Sequence, residues 1–304
     1  MIFSDGGFSM ISRLICRAFI GSGLVLAVCY APQTVSAQSS APTYGGSKYL
    51  VINREFTKPG RDGTPHEATE AAYMRAAESG KAPFHYVAFT SLSGPNRALF
   101  VSSYDSMEAV EAERKSMSAA LNASLDRTMV ADGDLLSATD SSVWRIDPEL
   151  SQNTNGPRIG AHLMVVREFV VKPGHTDEWE AAVKLVLDGY KKADVGAHWS
   201  TYRMVFGNST GPTYLILTSM KSMSELDEMY ASDPKFMDAM GEEGLKKLDA
   251  LEASCMESEK TNLFIIDPKM SIPTDEMLKA EPGFWRPKTT ASGSAKRTGA
   301  ASGQ

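Results

Sequence analysis

Five histidines are spread through 304 residues, and two of them sit in matched settings. His85 precedes Tyr86 and His198 precedes Trp199, 113 residues later. An imidazole titrates near neutral pH, so a histidine lining a cavity can deprotonate a phenolic substrate or ligate haem. The structural alternative for both is a histidine at a strand entrance, hydrogen-bonded to backbone or water. Metal chemistry has less support. His162 and Glu168 lie six positions apart on one predicted strand, about 20 Å at roughly 3.3 Å per residue. Zinc ligands sit ~2.0–2.2 Å from the ion, so these two cannot share one. No HxH, HExxH or CxxC spacing occurs, and the sequence points to no metal site. The methionines along the second half read as adaptable core packing.

The elements that would position these residues occur twice. Arg54-Glu55-Phe56-Thr57-Lys58-Pro59-Gly60 returns as Arg167-Glu168-Phe169-Val170-Val171-Lys172-Pro173-Gly174, and Asp147-Pro148 returns as Asp267-Pro268. A repeat this long is a duplicated domain, because solenoid periods run to roughly 20–50 residues. Each copy opens with a β-branched, aromatic strand, 49–57 and 162–170, ended by Lys-Pro-Gly. A helix follows, over 67–78 and 177–192; in the second, Trp179, Ala182, Val183, Val186 and Tyr190 make one apolar stripe. Two strands (84–92 and 97–104; 199–206 and 213–220), a long helical stretch, and a last strand (143–146; 262–266) closing at Asp-Pro complete each copy. The order is β-α-β-β-α-β, which is ferredoxin-like.

Alternation along a strand assigns its faces. Leu50, Ile52, Arg54 and Phe56 share one face, as do Leu163, Val165, Arg167 and Phe169, and these mainly apolar sets are expected to meet the helices. The opposite faces hold Tyr49, Val51, Asn53 and Glu55, and His162, Met164, Val166 and Glu168. Those sets are the expected cavity lining. For Glu55 and Glu168 the alternative is a position near a strand end, in contact with water.

The β-α-β-β-α-β order, the Arg-Glu-Phe to Lys-Pro-Gly exit from each first strand, and Ser232-Asp233-Pro234-Lys235-Phe236 in the second helical region resemble the dimeric α/β-barrel superfamily. That superfamily includes antibiotic-biosynthesis-type monooxygenases, stress-responsive barrels and haem-handling enzymes. The resemblance covers roughly residues 48–150 and 161–270. It implies an α+β fold in which two fused ferredoxin-like units form a pseudo-dimeric α/β barrel, helices outside and a ligand cavity within. Haem-degrading members use an Asn on the first strand, a Trp near the third and a His on the second helix. Asn53 matches the first, Tyr104 and Met220 stand near the second, and no second-helix histidine is present. That signature is not met, while another haem mode stays open.

The ends and the charge complete the picture. Arg13 and Arg17 precede an apolar run from Ala18 to Ala31, and Val35-Ser36-Ala37 offers a cleavage position, so residues 1–37 read as a secretory signal. The run is shorter than the ~20 residues of a membrane span. The formal net charge is −6 and no long basic stripe offsets it, which argues against nucleic-acid binding. Residues 151–160 read as a linker and 271–304 as a disordered tail. The expectation is a periplasmic or secreted barrel protein that binds a small, partly apolar molecule through Tyr49, Glu55, His162, Met164, Glu168 and Tyr104. The alternatives are a cofactor-independent monooxygenase-like enzyme on a phenol or quinol, with His198 or His85 as base and Asn53 positioning oxygen or an oxyanion, or a haem-binding protein. The sequence requires no cofactor; a homodimer stays open.

Overall fold

The computed structural model describes residues 47–80, 84–120, 123–154 and 160–286. The first unit runs β1 (Tyr49–Thr57), α1 (Thr64–Ser79), β2 (Tyr86–Ser91), β3 (Arg97–Tyr104), α2 (Met107–Ala120), α3 (Ala123–Gly133) and β4 (Leu136–Gln152). The second runs β5 (Leu163–Val171), α4 (Thr176–Ala193), β6 (Trp199–Phe206), β7 (Thr213–Met220), α5 (Ser224–Cys255) and β8 (Met256–Ile272). The eight strands close into an antiparallel barrel in the order β1-β3-β2-β8-β5-β7-β6-β4. Within each unit the sheet has the ferredoxin-like order, and the units are sewn together where β2 pairs with β8 and β4 with β6. This is the pseudo-dimeric α/β barrel that the resemblance implied, built from one chain.

The two Asp-Pro pairs do not end their strands. β4 and β8 run on past them, to Gln152 and Ile272. Proline cannot donate to a ladder and is tolerated at bulges, and both pairs sit at register shifts. A serine four residues after each aspartate repairs the ladder. Ser151 Oγ donates to Asp147 O and accepts from Thr201 N, at 2.6 and 2.9 Å. Ser271 Oγ does the same with Asp267 O and Ala88 N, at the same distances. Both bulges lie on the seams between the units.

The barrel interior is filled from both units by Leu50, Ile52, Phe89, Leu99, Trp144, Met164, Val166, Tyr202, Leu217 and Phe264. A second core, around Phe169, Trp179, Tyr190, Trp199 and Phe236, lies between the second unit's sheet and its helices. The disordered tail expected from residue 271 is corrected for 271–286. There α6 (Asp275–Ala280), capped by Thr274 accepting from Met277 N, and α7 (Pro282–Trp285) fold under one end of the barrel. Met277 and Trp285 are buried in the interior cluster with Phe284 and Leu278 beside them. A polar-looking tail is ordered because those four side chains have apolar surface to cover. Residues 287–304, the signal expected over 1–37, and 155–159 of the linker lie outside the described residues.

Trp285 is 4% exposed. Trp285→Ala is therefore expected to cost about 3–5 kcal/mol of unfolding free energy in urea titration. An unchanged midpoint would mean that the tail does not plug the barrel.

Candidate functional site

All the strand pairs are antiparallel, so β1, β2, β5 and β6 share one direction. The ends of β1 and β5 and the starts of β3 and β8 therefore meet at one end of the barrel, opposite the α6–α7 plug. At that open end lies a cavity of about 460 Å³. Its floor is apolar: Ile52, Leu99, Trp144, Met164, Val166 and Leu217. Its mouth carries Arg54, Arg97, Glu168, Lys260 and Asn262.

The mouth is held by an ion-pair network. Arg54 makes a two-pronged contact with Asp140 on β4, Nε to Oδ1 at 2.6 Å and Nη2 to Oδ2 at 2.8 Å. Its remaining Nη1 crosses to Glu168 Oε2 on β5 at 3.0 Å. Lys260 Nζ stands 3.6 Å from the other Glu168 oxygen. Arg97 differs. It donates through Nη2 to Asn262 Oδ1 at 2.6 Å and lies over the Phe264 ring at 5.1 Å. Its Nε is buried without a hydrogen-bond partner, and it makes no ion pair among the described residues. Burial, and next the neighbouring Arg54 charge, push its guanidinium below the ordinary range.

Three of the expected lining residues, Met164, Val166 and Glu168, reach this cavity. The first strand is turned the other way from expectation: Ile52, Arg54 and Phe56 face the lumen. Its other face meets the helices. Glu55 bonds His66 on α1, and Asn53 is exposed, accepting from Ser141 Oγ at 2.6 Å. Tyr49 stands in register with Tyr104, whose hydroxyl donates to Glu113 Oε1 on α2 at 2.5 Å. The cause is register. Arg54 and Glu168, 114 apart, occupy equivalent places, because matching bulges fall at Phe56/Thr57 and Val170/Val171. Aligning the Arg-Glu-Phe triplets by letter uses 113, and a one-residue slip sends every side chain to the opposite face.

His85, His198 and His162 lie away from the mouth. His85 Nδ1 is 3.2 Å from Pro273 O, and His198 Nε2 is 2.8 Å from Ser219 O. Both precede strands that start at the plugged end. His162 is also at that end, stacked on Phe284 at 4.1 Å and 3.5 Å from Glu281. Neither His85 nor His198 is brought together with Asn53. Haem finds little to ligate it in the cavity: of the axial types His, Cys, Met and Tyr, only Met164 is among the lining residues.

Two buried polar groupings lie outside the cavity, and the sequence reading did not assign either of them a role. Arg167, at the place equivalent to Asn53, is 1% exposed, and its three side-chain nitrogens have no hydrogen-bond partner. Burial pushes it down to about 10, against the attraction of Glu259 and Asp233. The second grouping is Glu55, His66, Glu70 and Asp132, whose ligand atoms all lie within 4.8 Å of one another. His66 and Glu70 are i, i+4 on α1, a spacing legible in the sequence. Glu55 and Asp132 come from β1 and the end of α3, and only the fold brings them in.

No protein-family model matches the sequence, and no curated protein does. Among solved structures the chain is similar to an anthrone oxidase-like protein, at 11% identity and TM-score 0.47, over 75% of this chain and 94% of that one. It is similar to a mutant chlorite dismutase from Candidatus Nitrospira defluvii, at 10% and 0.44, over 77% and 95%. A haem-binding protein from Thermus thermophilus follows at 14% and 0.38, over 80% and 98%. The barrel rests on its own strand pairing, and these likenesses carry nothing about chemistry.

Arg167→Met keeps most of the stem's volume and removes the buried charge. It is expected to raise the melting temperature by roughly 2–4 °C. A fall of that size would show that the guanidinium has effective partners.

Proposed function

We propose that the protein binds a small molecule with an apolar, ring-like body and one anionic group, held in the barrel with its anion on Arg97. The observation that carries this is a partly buried guanidinium without a carboxylate partner, on the wall of a mainly apolar cavity. Arg54 is the poorer anchor, because Asp140 and Glu168 already take three of its five N–H donors and balance its charge. Glu168 and Asp140 disfavour a second anion beside Arg54 and so direct it toward Arg97. The aromatic rings of Trp144 and Phe56, both on the cavity wall, suit a flat apolar body. Among the described residues no histidine lines the cavity, so the base expected of a cofactor-independent oxygenase is not placed there.

The test is a titration of 2-naphthoate against 2-naphthamide, read by tryptophan fluorescence and calorimetry. A charge-assisted hydrogen bond contributes about 1.5–3 kcal/mol, so the acid is expected to bind some ten- to hundredfold tighter than the amide. Arg97→Met should erase that preference while leaving amide binding in place. Equal affinity in the native protein would sink the proposal. A Soret band with one equivalent of haemin, lost in Met164→Leu, would replace it with haem binding.

A further inference from the structure

We infer that Glu55, His66, Glu70 and Asp132 form a divalent metal site between the first unit's sheet and its helices. The site lies on the opposite face of β1 from the cavity and does not depend on the reading of that cavity.

Three carboxylates converge on one imidazole. His66 Nε2 is 3.0 Å from Glu55 Oε2 and 3.5 Å from Asp132 Oδ1. Thr69 Oγ1 donates to Asp132 Oδ1 at 2.6 Å and orients it. No Lys or Arg pairs with any of the three carboxylates among the described residues. Glu70 is the decisive member. It is 6% exposed, and its carboxylate offers an oxygen within 4.8 Å of the ligand atoms of the other three. The hydroxyl of Tyr86, which feels the charges of Glu70, Glu55 and Asp132, is buried without a hydrogen-bond partner. Burial, then the Glu55 and Asp132 charges, lift Glu70 to about 9. Buried acids in this state require either protons or a cation.

Geometry favours the cation. Donors that share an ion at ~2.0–2.2 Å lie at most about 4.4 Å apart, so a set already within 4.8 Å needs only a small contraction. A pocket of about 200 Å³ reaches His66, and Asp62, Glu67 and Asp267 line it together with Arg97. The scaffold does not demand charge here. In the second unit Phe169 stands where Glu55 does and packs on Trp179 at 4.6 Å. One imidazole with three carboxylates suits a first-row divalent ion such as Mn²⁺ or Zn²⁺ better than Mg²⁺ or Ca²⁺. Bound there, it would tie β1, α1 and α3 together.

The experiment uses the whole chain, stripped with chelator and dialysed. One equivalent of Mn²⁺ or Zn²⁺ should bind in calorimetry. At a hundredfold excess over Kd it should raise the melting temperature by roughly 5–10 °C, with Mg²⁺ and Ca²⁺ at least tenfold weaker. Glu70→Gln should stabilise the metal-free protein and abolish the tight equivalent, as should His66→Gln. In the native protein, Mn²⁺ should broaden amide resonances around residues 64–72 and 132, which locates the ion even if a variant fails to fold. No tight equivalent, together with a Glu70→Gln variant that is merely more stable, would show a proton-holding cluster instead. Binding that survives both substitutions, or broadening centred on His175 and Glu178, would place the ion elsewhere and overturn the inference.

Discussion

Each unit of this protein is a four-stranded sheet with two open edges, and the rest of the structure depends on how those edges are closed. Unpaired backbone groups along β2 and β4 have one set of partners in the chain, β8 and β6. Closure removes every edge and turns two apolar faces toward one another, so the interior cluster is drawn from both units. The cost falls at the seams, where β4 and β8 each bulge. There the repeated Asp-Pro-x-x-Ser segment lets a serine hydroxyl stand in for the lost backbone partner. Its Asp-Pro pair was legible as a repeat and the serine four residues after each aspartate was not, although both seams pose one geometric problem. Closure also leaves the barrel two ends to deal with: α6 and α7 plug one, and the charged mouth lines the other.

Duplication within a chain changes what can face what across the pseudo-two-fold. In a symmetric dimer, a residue near the axis meets its own copy. Two arginines or two glutamates at about 3 Å would repel strongly. Here the equivalent positions hold Arg54 and Glu168, and they bond to each other at 3.0 Å. The mouth is therefore a feature that a homodimer of either unit could not make. The same divergence runs along the outer face. Asn53, exposed, answers Arg167, buried; Glu55 in a polar cluster answers Phe169 in an aromatic core.

Elements and their order were legible in the sequence, because strand, turn and amphipathic helix leave local patterns. The strands over 49–57, 97–104, 199–206 and 213–220 stand where expected. Facing was legible only where the register was right. Met164, Val166 and Glu168 do line the lumen, while Tyr49, Val51, Asn53 and Glu55 turn outward. Lys-Pro-Gly recurs at 114 and Arg-Glu-Phe at 113, and only the first marks a backbone constraint, the turn that ends the strand. A matching triplet of side chains is weaker evidence of equivalence than a matching turn. Arg97 and Asp132 could not be picked out at all, since their roles come from neighbours 165 and 63 residues distant in sequence.

One strand ends up serving both polar centres. On β1, Arg54 points into the lumen and Glu55, its neighbour, points under α1, because pleating sends successive side chains to opposite faces. The backbone between them is fixed on both sides, by β3 and by β4. A change in charge at Glu55 therefore cannot be relieved by sliding or rotating the strand, which would carry Arg54 away from Asp140 and Glu168. The outer cluster must settle its charge locally, with a proton, the imidazole or an ion. The mouth must do the same through its own ion pairs. β1 is thus a rigid partition, and the two centres share a wall without sharing a ligand.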